Sequence, residues 1–323
     1  MSITLIATIV ALVLGHLAPS LAVAVRQFGW YADLVGWLND RFGEGSFWRG
    51  RWGIVLALLP PVLVVGFFQL ALDGRLLGIA QLVFGIAVLF FVWGPRDLDR
   101  DVDAILDAPD AASRRERMVR LTDSADGSGG RSDLVEAVFR NALRRWFGVL
   151  FWFLVLGPVG AVLYRLSALA AVGDIASRVP ATTRQGARTW LAVLEWPVAQ
   201  LMTLALALVG NFDAVLGAWR SAGGASFGVD NRFLGAAARA SVRREMADDG
   251  RTDEGMADEG SDYAVGDGGI DDDSFSGSGS GTASAGLGLA DLPELRDAMS
   301  LVWRSLLAWL AVLALFVIAG FVS

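Results

Sequence analysis

The chain has 323 residues, 54% of them hydrophobic in several long uncharged runs, with a mean hydropathy of +0.50, which excludes an ordinary soluble domain. Its 27 basic residues are all arginine against 34 acidic ones, a formal charge of -7, with one histidine and no cysteine. Without lysine there is no P-loop, without cysteine no thiol chemistry, and the single His16 leaves no histidine-based triad or multi-histidine metal centre.

In chain order, Ile3 to Val25 predicts a first membrane span, bent by Pro19 and carrying His16 at mid-depth. No basic region precedes the apolar run, so a span is expected there rather than a signal peptide. Arg26 to Trp52 mixes Arg26, Arg41, Arg49 and Arg51 with Trp30, Tyr31, Trp37 and Trp48, as suits a segment lying along the membrane surface. Gly53 to Leu72 and Leu77 to Trp93 predict two more spans, joined by Asp73-Gly74-Arg75 in a turn short enough to force an antiparallel pair.

The segment GPRDLDRDVDAILDAPD follows from Gly94. Its alternating aspartates resemble a calcium loop, but Val102 and Ala108 stand where the turn glycine and the bidentate glutamate belong. A solvated helix is expected instead, with Arg96, Asp97, Asp99, Arg100 and Asp101 pairing locally and offering a partner surface. A flexible hinge is read at Ser124 to Ser132, before a helix whose Glu136, Arg140 and Arg144 repeat at i+4 spacing.

From Trp146 to Leu163 a helix covers roughly 27 Å, the thickness of a hydrocarbon core, and is read as a central span collared by Arg144, Arg145 and Arg165. Within it, Gly157 and Ala161 at small-xxx-small spacing predict a packing face, kinked by Pro158. Trp190 to Gly210 is read as a fifth span, with Glu195 near its start as an ionisable candidate. Met246 to Leu289 is acidic and rich in glycine and serine, so a disordered linker is expected. Leu306 to Val322 predicts the last span.

The resulting fold class is all-α, a polytopic membrane protein of about six transmembrane helices. The chain divides into three N-terminal membrane helices (1–94), a cytoplasmic helical loop (95–145), a central pair of membrane helices (146–211), a cytoplasmic region (212–304) with the acidic linker (246–289), and a C-terminal membrane helix (305–323). The loops at 26–52, 95–145 and 212–304 hold 4, 10 and 8 arginines, 22 together, against 1 at Arg75 and 4 in 165–189, 5 together. With six crossings the 22 face the cytoplasm, obeying the positive-inside rule.

Three blocks carry a family resemblance: Gly94-Pro95-Arg96-Asp97-Leu98-Asp99-Arg100-Asp101-Val102, the stretch from Leu134 to Leu166, and Val193 to Val215 with Ala218-Trp219. They resemble the AmpE family of bacterial inner-membrane proteins, which implies a non-catalytic regulatory modulator linked to beta-lactamase induction and the response to antibiotic. The resemblance implies a multi-pass protein of the inner membrane, with signalling or cell-wall-recycling proteins as partners. AmpE is similar in turn to CobD, also called CbiB, which attaches aminopropanol or its phosphate to a cobyric acid side chain. Under that alternative the chain is an amide-forming enzyme or metabolite transporter. Asn141, Tyr164 and Arg165 match the CobD pattern, while Arg140 stands in place of a glutamate and Leu166-Ser167-Ala168-Leu169-Ala170 lacks an Asn-x-Leu-Asp motif.

The candidate ligand or partner surface is Arg96, Asp97, Asp99, Arg100, Asp101, Asn141, Arg144, Arg145, Tyr164, Arg165 and Glu195, with Gly157, Pro158 and Ala161 as packing residues. No catalytic residue, metal site or cofactor is assigned; ATP or magnesium enters only under the enzyme alternative. The lipid bilayer is an expected partner and nucleic acid is not.

Overall fold

The computed structural model describes residues 2–17, 28–72, 78–93, 95–122, 131–228, 231–258 and 292–319, and every regular element among them is helical. The chain is an all-α membrane protein. The elements are α1 (Ser2–Leu17), α2 (Gly29–Arg41), a 3-10 turn (Phe47–Arg49), α3 (Ile54–Ala71) and α4 (Gly78–Val92). Next come α5 (Pro95–Leu106), α6 (Ala111–Thr122), α7 (Arg131–Ala142), a π turn (Leu143–Phe147), α8 (Gly148–Leu156) and α9 (Pro158–Ala171). The last five are α10 (Asp174–Arg178), α11 (Ala181–Val209), α12 (Phe212–Ser221), α13 (Arg232–Asp258) and α14 (Pro293–Ile318).

Among the described residues, three helical segments are long and apolar enough to cross a membrane: Ile54–Ala71, Ala181–Val209 and Pro293–Leu315. Only 17% of the apolar window of α3 is buried within the protein, and Val55, Leu59, Leu63, Phe67 and Leu70 lie exposed on it. Leaving one such side chain in water forgoes about 1.5–3 kcal/mol, so this face requires hydrocarbon. The same holds for Leu201, Leu204 and Leu208 on α11. Helices α4 and α9 are apolar but shorter, and α1 packs along α4.

Between Trp146 and Leu163 the structure departs from the single kinked span that the sequence suggests. Gly157 has φ +70 and ψ −155, a conformation that side-chain-bearing residues rarely adopt, and Pro158 opens α9 where its missing N–H costs nothing. The chain therefore reverses, and α8 and α9 fold back on each other. Glycine permits that contact: a Cβ on Gly148 would stand 2.1 Å from Cζ of Tyr164, and one on Gly160 would stand 2.1 Å from the carbonyl oxygen of Trp152. Ala161 is fully buried, and α9 also packs against α3, α4 and α11.

A reversal in an apolar environment exposes backbone groups at both helix ends. Gln69 of α3 meets both: its Nε2 donates to the carbonyl of Leu156 at 3.2 Å, and its Oε1 accepts from the N–H of Val159 at 3.1 Å.

Other boundaries also move. Helix α11 begins at Ala181 rather than 190, because Thr182 to Arg188 are polar yet compatible with a helix, which hydropathy does not register. Helix α13 continues to Asp258 through the start of the acidic stretch expected to be disordered, where Asp248, Arg251 and Glu254 fall at i+3 spacing. The rest of that linker from 259, the 73–75 turn and most of the 124–132 hinge lie outside the described residues, as does the His16 side chain.

Helices α5 and α6 form a second, polar hairpin. Arg114 and Arg117 donate to the last-turn carbonyls of Leu106 at 3.4 Å and Ala104 at 2.5 Å, neutralising the C-terminal end of α5. Before α6, Asp110 accepts from the backbone N–H and hydroxyl of Ser113 at 2.8 and 2.9 Å, which holds its carboxyl below the usual range.

Candidate functional site

Because α8 and α9 reverse, the residues before Trp146 and those after Leu166 come together at the base of the hairpin. There they enclose a cavity of about 780 Å³ whose walls come from α7, the α9–α10 turn, α11 and the start of α13. Arg140, Arg144, Arg184, Arg188 and Arg232 line it, facing Glu136 and Glu195. Five guanidinium groups against two carboxylates make it strongly electropositive, and low-dielectric walls intensify the field.

Each charged group is fixed by its own helix. Arg140 donates to Glu136 one turn earlier at 2.5 Å, and Arg239 of α13 also pairs with Glu136. Glu136 presses so closely on α13 that a Cβ on Gly235 would stand 2.6 Å from its carboxyl carbon. Arg144 Nε donates to Glu195 Oε1 at 2.8 Å, with the Glu195 side chain 5% exposed. The π turn over Leu143–Phe147 lies between these pairs and the hairpin, a local widening frequent at functional sites.

On the opposite wall, Arg184 and Arg188 stand one turn apart on α11. Each donates one N–H to a carbonyl across the cavity, Ala176 and Ala171 respectively, both at 3.3 Å. A guanidinium carries five N–H donors, so these bonds aim the groups without consuming their capacity. Arginine is the side chain best shaped to bind phosphate or carboxylate bidentately.

Of the residues singled out in the sequence, Arg144 and Glu195 line the cavity. Asn141 turns instead to the carbonyls of Leu121 and Ala137, both at 2.9 Å, tying α6 to α7. Tyr164 is buried in the hairpin with its hydroxyl 3.4 Å from the carbonyl of Leu143, and the Arg165 guanidinium lies 5.4 Å from the Phe28 ring centroid. Arg145 pairs with Asp101 at 2.5 Å, and Asp99 accepts from Trp303 of α14 at 3.0 Å, so these aspartates hold α5 to its neighbours rather than pairing only along their own helix. Arg100 is exposed on α5, and the side chains of Arg96 and Asp97 lie outside the described ones.

Glu136, Arg140, Arg184, Arg188 and Arg232 were missing from that surface. The i+4 spacing of Glu136, Arg140 and Arg144 was visible, as was that of Arg184 and Arg188. Nothing in the sequence joined the two groups, because a crossing helix would have placed them on opposite sides of the membrane.

The family model described as CobD/Cbib protein matches residues 4–224. The chain is similar to a protein named Cobalamin biosynthesis protein CobD from Stutzerimonas stutzeri, 31% identical over 217 residues, covering 63% of this chain and 68% of that protein. It is also similar to a protein of the same name from Chromobacterium violaceum, 34% identical over 126 residues, covering 37% of this chain and 38% of that one. No solved structure matches. These findings overturn the AmpE assignment, and with it the regulatory role in beta-lactamase induction and antibiotic response. The three blocks read as AmpE-like all fall within the matched region. The chain belongs to the CobD/CbiB family.

Proposed function

We propose that this protein acts in cobalamin biosynthesis, forming the amide between a cobyric acid side chain and an amino alcohol or its phosphate. The observation that carries the reading is the arginine-lined cavity of about 780 Å³, assembled mostly from segments inside the family match. Its guanidinium groups complement the carboxylate and phosphate groups that such a condensation handles.

The family resemblance also implies ATP with magnesium. The donors around the cavity suit the phosphate oxygens of a nucleotide. They do not suit a protein-held cation: Glu136 and Glu195 are both engaged by arginine, and the described residues contain no group of three or more His, Cys, Asp or Glu placed to hold a metal. Magnesium therefore fits as an ion carried by the nucleotide, with no resident site among the described residues.

We further place the protein in the inner membrane as a multi-pass protein with the cavity on the cytoplasmic side. Hydrogen bonds tie the arginine-rich segments to one face: Asn39 to Arg178, Thr183 to Trp48, Asp101 to Arg145, Glu136 to Arg239 and Glu245 to Arg304. Arg75 falls between the far ends of α3 and α4, so this asymmetry supports the orientation through the positive-inside rule.

The test is conversion by the full-length protein in nanodiscs, supplied with cobyric acid, 1-amino-2-propanol O-phosphate and magnesium ATP and followed by mass spectrometry. A product heavier by the amino alcohol phosphate less one water is expected. Arg188→Ala should lower kcat/KM about tenfold through loss of one charge-assisted contact. No product, under conditions where the Stutzerimonas relative yields one, overturns the proposal.

A further inference from the structure

Beside the arginine cavity lies a second one of about 30 Å³, and the two share Glu136, Arg140, Arg144 and Glu195 as walls. Its inner wall is the start of α13, with Asn231 and Gly235. The space suits a group the size of one water molecule. Glu195 Oε1 is engaged by Arg144 at 2.8 Å, while Oε2 is approached by Asn231 Nδ2 at 3.5 Å, at the outer limit of a hydrogen bond. Asn231 is 6% exposed, and its Oδ1 has no hydrogen-bond partner among the described residues. Its backbone has φ 46, in the left-handed region that asparagine enters more readily than most residues. A buried acceptor without a donor is costly, so this one marks a position where a donor belongs.

We propose that this alcove is the subsite for the amine of the acyl acceptor, with Glu195 Oε2 and Asn231 Oδ1 receiving its two N–H bonds. The proposal rests on reading the adjoining cavity as an amide-forming site, and it adds the residues that recognise the amine. In the alcove's lining Arg140 and Arg144 balance Glu136 and Glu195, and Arg239, paired with Glu136, adds a third guanidinium behind them. A net positive surrounding disfavours an ammonium and favours the neutral amine, which is the nucleophilic form. The alcove thus selects a primary amine as its free base, while the arginines of the main cavity take the anionic end of the same molecule.

The test uses the full-length protein in nanodiscs, titrated with 1-amino-2-propanol O-phosphate and with isopropyl phosphate, which lacks the amine. Wild type should prefer the amine-bearing ligand about tenfold at pH 9, as two added hydrogen bonds allow, and the preference should shrink toward pH 7 as the free ligand protonates. Two variants remove the acceptors singly. Asn231→Gly retains the left-handed backbone, and Glu195→Gln retains an oxygen for Arg144. Both should bring the preference within about twofold of unity by weakening the amine-bearing ligand, while isopropyl phosphate still binds. A merely structural role would weaken both ligands together and overturn the assignment, as would an intact preference in both variants. Equal binding of the two ligands by wild type overturns the amine subsite and leaves the phosphate-binding cavity standing; failure of wild type to bind either overturns both readings.

Discussion

Inside the hairpin, α8 and α9 meet through Gly148 and Gly160, with no charged side chain between Trp146 and Tyr164. At its base the π turn and α11 meet through the Arg144–Glu195 pair, beside Arg184 and Arg188. In lipid, hydrophobicity gives little reason for helices to associate, so the hairpin depends on close approach of backbones and on satisfying the groups freed at Gly157. The base depends on charge, where a paired group is tolerated and an orphaned one is not. The comparison teaches that shape faults should damage the first region and partner loss the second.

The sharpest way to break that contrast is Gly160→Leu. A side chain there meets the Trp152 carbonyl, which belongs to the backbone and cannot swing aside, so the arms must part. A loss of about 3 kcal/mol is expected, at the upper end of overpacking costs, read as a lower unfolding midpoint in detergent. Unchanged stability would show that the arms are not apposed.

A smaller loss, about 2 kcal/mol, is expected for Glu195→Ala, which leaves Arg144 facing its former partner's place. The value for a fully buried pair is reduced because the Arg144 side chain is 24% exposed. Adding Arg144→Ala should recover part of that loss in a double-mutant cycle, since both charges of the pair then leave together. Strict additivity would remove charge pairing as the principle at the base.

Gln69→Leu should cost least, about 1 kcal/mol, because two hydrogen bonds at the tip are lost while the glycine contacts persist. Hydrogen exchange would report it locally, with faster exchange at Val159 and at most a small change at the base. A change equally large around Arg144 would mean that tip and base do not stand apart.

The helical class and the apolar helices at 54–71 and 78–92 were legible because long uncharged runs are the strongest signal that a membrane chain carries. The hairpin was written in the sequence as Gly157-Pro158, a pair that both stops one helix and starts another, but hydropathy cannot separate an apolar stretch that crosses from one that returns. That misreading hid the cavity, since Arg140 and Arg188 share a wall only if the chain comes back. Glu195 was visible as an ionisable residue in an apolar run; Asn231 was not, because its left-handed backbone and burial follow from tertiary packing alone.

The return at Gly157 also bears on how the chain enters the bilayer during synthesis. Carrying an arginine to the centre of the hydrocarbon costs about 2.5–3.5 kcal/mol on insertion scales. A crossing segment would have to haul Arg165, Arg178, Arg184 and Arg188 through that barrier before they could settle on the far side. A helical pair that dips in and comes back carries none of them across. Insertion of such a pair would push only an uncharged tip into the hydrocarbon, and the arginines that follow it would stay on the side from which the pair enters.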